Sequence, residues 1–183
     1  MEKKEIKLHI ELPKHIINYR DFIDQCYDFV VENSFLSTDF KRLAKFKLAV
    51  MELLTNASKH GNDHCTLDII VTKNLVEIKK IDTGKRFSFK DAQTSQDYTF
   101  PIDPFSNPKK VNALVGQNYN INIGIISNTK IEFLEPPEVD YLSIDHIPEN
   151  FGLMVIRQCV DKFYYTYDNE KSLNIFEVLF QND

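Results

Sequence analysis

The sequence predicts a two-layer α/β sandwich, an α+β arrangement in which helices lie on one face of a mixed, mostly antiparallel sheet. Three observations point there. Two long helical periodicities follow an opening strand, a hairpin of alternating strands comes directly after them, and a shorter helix precedes a closing hairpin. The 183 residues can bury one sizeable core and fit a single domain, residues 1–183, better than two.

Residues 5–11 read as the opening strand. Pro13 then opens a segment in which Ile16, Tyr19, Phe22, Ile23, Cys26, Phe29 and Val30 recur at helical spacing, and Asn33 and Ser34 break it. Ser37, with Asp39 in the following turn, is expected to start a second helix running to about His60. Its apolar stripe is Leu43, Phe46, Val50, Leu53 and Ala57, and Gly61, Asn62 and Asp63 are expected to end it. Residues 65–71 and 75–82 form a hairpin about Thr72, Lys73 and Asn74.

Residues 88–148 are rich in Ser, Gln, Asn and Asp and contain Pro101, Pro104, Pro108, Pro136 and Pro137. They read as an insertion containing a long loop, within which 119–127 and 130–134 could pair across Asn128 and Thr129. From Phe151 a short helix carries Val155, Ile156, Cys159, Val160 and Phe163 on its apolar side. Strands at 164–167 and 173–180 follow about a turn at 168–171.

Composition narrows the function classes. A hydrophobic fraction of 43% with 27% charged residues is ordinary for a soluble globular protein. No stretch approaches the roughly 18 to 20 apolar residues that cross a bilayer, and the opening residues lack the apolar run of a signal peptide, so a cytoplasmic protein is expected. Three cysteines, with no C-x-x-C spacing, read as buried reduced thiols. A net charge of −5 disfavours direct nucleic-acid binding. It leaves room for a nucleotide, since a few backbone N–H groups and one metal ion neutralise a triphosphate locally.

Three short elements carry candidate chemistry. In the second helix Leu48, Glu52, Asn56 and His60 lie four apart and form one row beside the apolar stripe. Asn offers a neutral oxygen to Mg2+ and Glu can deprotonate an attacking hydroxyl, although Glu and Asn at this spacing are also common on solvated helix edges. The hairpin ends in Asp82, Thr83 and Gly84, which suits a carboxylate under a base edge and equally a plain turn. Gly152 precedes a helix start, where free N–H groups favour phosphate.

Taken in order, these elements resemble the boxes of the GHKL (histidine-kinase-like) ATPase superfamily, in its anti-sigma-factor serine/threonine kinase branch. Residues 48–61, LAVMELLTNASKHG, look like the E-x-x-x-N box followed by H-G; residues 82–87 resemble D-x-G-x-x-F; residues 150–161 resemble G-x-G-L-x-L-I-x-x-x-x-D. The likeness covers about residues 3–87 and 149–180 and implies a Bergerat-type ATP-binding fold, with the 88–148 insertion at the ATP-lid position. It implies Glu52 as catalytic base, Asn56 as Mg2+ ligand, and Asp82 bonding the adenine amino group. Gly84 would let the base approach, and Asn150, Gly152 and Leu153 would line the phosphates. Asn150 replaces the first glycine of the phosphate loop, and Arg86 stands where many members carry a second glycine.

The implied function is a Mg-ATP-dependent regulatory serine/threonine kinase. By resemblance alone its partners are a sigma factor and a STAS-type anti-anti-sigma protein, with a homodimer possible. The rival from another class is a non-catalytic interaction module on the same fold. A sensor histidine kinase fits less well, because neither His9 nor His15 sits on a dimerising helix ahead of the ATP domain. Lys109 and Lys110 in the insertion could reach a γ-phosphate or be ordinary solvated lysines.

Overall fold

The structure, a computed structural model, describes residues 5–13, 15–60, 64–115, 120–135 and 152–182, without the side chains of Ile16 and His60. It is an α+β fold. Its ten strands form one sheet in the order β1-β2-β3-β10-β9-β8-β7-β6-β4-β5. Among the described residues every strand pairing is antiparallel, not mixed as the sequence suggested. The reason is visible at the start of the chain. Strand β1 (Ile6–Glu11) and strand β2 (Cys65–Val71) are joined by two helices, α1 (Tyr19–Asn33) and α2 (Phe40–His60). A helix pair runs out and back, so the chain re-enters beside β1 in the opposite sense.

The N-terminal cap of α2 is Asp39, whose Oδ1 accepts from the Arg42 N–H at 3.0 Å. Ser37, the sequence-based candidate, instead lies in a short 3-10 turn, Phe35–Thr38. The expected stop at residues 61–63 lies outside the described residues.

Strand β3 (Leu75–Asp82) pairs with β2 across the predicted turn, and β10 (Leu173–Gln181) lies on its other side. Helix α3 (Gly152–Cys159) leads into β9 (Lys162–Asp168), so Phe163 belongs to a strand and not to the helix the spacing suggested. The three helices share one face. Helix α1 packs on β1 and β2 and α3 packs on β9; the Phe46 ring of α2 lies 6.0 Å from that of Phe180 in β10. Beneath them runs an in-register apolar row, Leu8, Ile69, Ile78, Val178 and Phe163.

Residues 88–135 depart most from expectation. They hold β4 (Ser88–Asp91), β5 (Asp97–Thr99), β6 (Lys109–Leu114), β7 (Asn120–Ile125) and β8 (Lys130–Phe133), and β8 pairs with β9. The anticipated hairpin between 119–127 and 130–134 is present as β7 and β8; the remaining strands replace the anticipated loop. The outer strands curl back, so that Phe100, just beyond β5, lies 4.9 Å from the Tyr165 ring in β9. That closes a second apolar layer of Phe89, Val111, Ala113, Ile123 and Phe133, all buried and continuous with the helix-covered core.

Cys26, Cys65 and Cys159 are free. Burial pushes Cys26 up to about 12 and Cys65 up to about 11, so both thiols stay protonated at neutral pH.

Tyr165 is buried where the two layers meet. Its hydroxyl donates to Asn174 Oδ1 at 2.7 Å and accepts from the Phe87 N–H at 3.3 Å. Tyr165→Phe would strand both groups away from water. The expected loss is about 1 to 3 kcal/mol, measured as a lower urea midpoint with an unchanged slope.

Candidate functional site

A cavity of about 370 Å³ opens between α2, α3 and the C-terminal end of β3. Each wall comes from a different stretch of chain. Helix α2 contributes Leu53 and Asn56, and α3 contributes Leu153. Lys80 and Asp82 of β3 and Phe176 of β10 also line it, as do residues Lys85 to Ser88 and, from the end of β6, Val115.

Asn56 faces the cavity because it is four residues past Glu52 and beside the buried Leu53 and Ala57 on α2. Gly152 starts α3 directly opposite. A Cβ placed there would lie 2.5 Å from Glu52 Oε2 and 3.5 Å from both amide atoms of Asn56, so a side chain at 152 would push the Glu52 carboxylate aside. The first turn of α3 itself holds no acidic residue, and the Glu52 carboxylate of α2 lies beside its first residue. Glu52 therefore sits at the rim beside Asn56 and Gly152, outside the set that lines the cavity.

At the other end, Asp82 is 4% exposed and held by three donors. Its Oδ1 accepts from the Gly84 N–H at 2.8 Å and from Asn174 Nδ2 at 2.9 Å. Its Oδ2 meets Lys80 Nζ at 2.7 Å. Asn174 also donates to the Gly84 carbonyl at 3.0 Å. Gly84 thus lies behind the carboxylate, closing a turn that fixes its direction. A carboxylate offers about four lone-pair positions, and among the described residues three have partners, which leaves one on Oδ2.

Arg86 lines the cavity with its guanidinium 4.8 Å over the Tyr167 ring and donates weakly, at 3.5 Å, to the Phe100 carbonyl. Asn150 lies outside the described residues. Lys109 donates to the Tyr98 hydroxyl at 2.6 Å and spans its ring, so its ammonium is engaged within the added strands. Near Glu52, the Cys159 thiol is raised by burial, with Lys45 lowering it and Glu52 raising it.

Lys80 and Asn174 are polar residues of the site that the sequence pattern did not single out. The signal was present in the alternation: Val76, Ile78, Lys80 and Asp82 share the inward face of β3, as Asn174, Phe176, Val178 and Phe180 share that of β10. A lysine at an inward position is the anomaly.

Among the described residues no group of three or more His, Cys, Asp or Glu is placed to hold a metal. A Mg2+ carried on phosphate oxygens needs only one or two protein ligands. The sequence matches no protein-family model, and no curated protein matches it.

Gly152→Ala separates the site from the fold. The clash falls on the free end of Glu52, and alanine is the better helix former. The melting temperature is expected to stay within about 3 °C of wild type, while a crystal structure of the variant shows the Glu52 carboxylate displaced from Asn56.

Proposed function

We propose that the chain is a Mg-ATP-binding regulatory serine/threonine kinase of the anti-sigma branch of the GHKL superfamily, built on a Bergerat-type fold and acting in the cytoplasm. The observation that carries this reading is convergence: Asn56, Asp82 and Leu153, from three separate stretches, line a single cavity, with Gly152 seated against Glu52 and Asn56.

The cavity suits the ligand. Leu53, Leu153, Val115 and Phe176 offer apolar faces to a flat base, Asp82 keeps one acceptor position for an amino group, and the first turn of α3 offers N–H groups to phosphate. Asn56 and the phosphates would hold Mg2+, which when bound neutralises charge on the triphosphate. Glu52, one turn from Asn56 and at the rim, is placed to take the proton from a partner's Ser or Thr hydroxyl. That oxygen then attacks the γ-phosphorus and ADP leaves. The partner would be a STAS-type anti-anti-sigma protein, with a sigma factor as the competing ligand. Phosphorylation would add about 1.5 to 2 negative charges to the partner and weaken docking.

The second reading, an interaction module without catalysis, is favoured by the Lys80–Asp82 pair, which already engages the carboxylate assigned to the base.

Calorimetric titration with ATP and Mg2+ tests the choice. The kinase reading expects micromolar binding, a loss of at least about tenfold in Asn56→Ala, equivalent to about 1.4 kcal/mol, and near-normal binding without phosphoryl transfer in Glu52→Gln. No heat at millimolar ATP would leave the interaction module standing.

A further inference from the structure

We propose that Lys80 and Asp82 together read the edge of the purine: Asp82 accepts from the exocyclic amino group while Lys80 donates to the adjacent ring nitrogen. The proposal rests on the nucleotide reading and adds a base-recognition residue to it.

Lys80 sits in an otherwise apolar row of the sheet, its one described ionic partner being Asp82. Across the sheet its in-register neighbours are Ile10, Leu67, Phe176, Tyr165 and Ile131, an apolar row running from β1 to β8 that it alone interrupts. It is 3% exposed. Burying an ammonium is unfavourable unless its protons find partners, and an apolar side chain of similar volume would close the row more stably. A fold-stabilising role therefore gives a poor account of this residue.

The ammonium has three protons to place. One goes to Asp82 Oδ2 at 2.7 Å, and the charge rests 4.7 Å over the Phe176 ring. Among the described residues Asp82 is its one hydrogen-bonding partner. Both residues line the cavity, between the apolar walls of Leu53 and Leu153. The floor thus presents an acceptor and a donor side by side to a cavity with apolar walls.

Adenine carries the complementary pair on its Watson–Crick edge, an amino donor next to a ring-nitrogen acceptor. Asp82 can satisfy only the amino group. The ring nitrogen would otherwise be desolvated without a partner, and a donor with unused protons lies next to the carboxylate.

The test uses wild-type protein and three ligands with Mg2+: ATP, 7-deaza-ATP and 1-deaza-ATP, the last lacking the acceptor assigned to Lys80. Expected are equal affinities for ATP and 7-deaza-ATP and at least about tenfold weaker binding of 1-deaza-ATP. If ATP binds and 1-deaza-ATP binds as tightly, or if 7-deaza-ATP weakens by the same factor, Lys80 does not read the base although the nucleotide site survives. Absence of ATP binding overturns the nucleotide reading itself and this proposal with it. Lys80→Met alone would leave Asp82 buried and unpaired. The variant to make is therefore Lys80→Met with Asp82→Asn, its fold checked by circular dichroism, in which ATP and 1-deaza-ATP are expected to bind alike.

Discussion

The buried hydrogen-bonded chain from Lys80 through Asp82 and Asn174 to Tyr165 is the constraint on which the rest of the molecule depends. It crosses three adjacent strands, β3, β10 and β9, and fixes the turn after β3 through Gly84 and Phe87. Each member has its polar atoms directed by another member, so none can turn toward water without breaking a neighbour's bond. The chain sets the direction of the Asp82 carboxylate and thereby the floor of the cavity. It also supplies the point where the helix-covered half of the sheet meets the curled half, since the Phe87 and Phe100 rings both pack on Tyr165. Such a network contributes less stability than an apolar core of equal volume. What it supplies is a single arrangement of the polar groups at the cavity floor.

The first half of the fold was legible because each element buries one face and its period therefore shows. The stripe Leu43, Phe46, Val50, Leu53 and Ala57 is buried throughout, and β2 and β3 run as their alternation indicates. The second half was less legible. Strands β4 and β5 have four and three residues, and each buries a single aromatic side chain, Phe89 or Tyr98, too little to define a period against a polar background. Of the prolines that suggested a long loop, Pro101 follows β5 and Pro108 precedes β6, where no ladder bond is lost. Phe163 fits both a helical continuation from Val160 and an alternation with Tyr165 and Tyr167; pairing with Val178 resolves it as a strand residue.

The candidate site divides along similar lines. Glu52, Asn56, Asp82 and Gly152 could be singled out from side-chain chemistry and spacing. The contact of Gly152 with Glu52 could not, because it depends on how α3 approaches α2. Lys80 and Asn174 went unnoticed because Lys and Asn in a strand read as surface residues by default. Their parity with Val76 and Ile78, and with Val178 and Phe180, puts them on the inward faces, and the register sets Asp82 directly opposite Asn174 and Lys80 opposite Phe176.

The pairing of β8 with β9 gives residues 88–135 a structural task that the word insertion conceals. Without them β9 would be an outer strand of seven residues, its backbone donors and acceptors bare along one side and its Phe163 and Tyr165 rings uncovered. A strand of that kind recruits a matching strand from another copy of the chain. As the sheet is built, its outer strands are β5, only three residues long, and β1, which carries Lys7 and His9 paired with Asp68. Short or charged margins resist such recruitment, so the added strands move the exposed border of the sheet away from the cavity to a place where it does no harm.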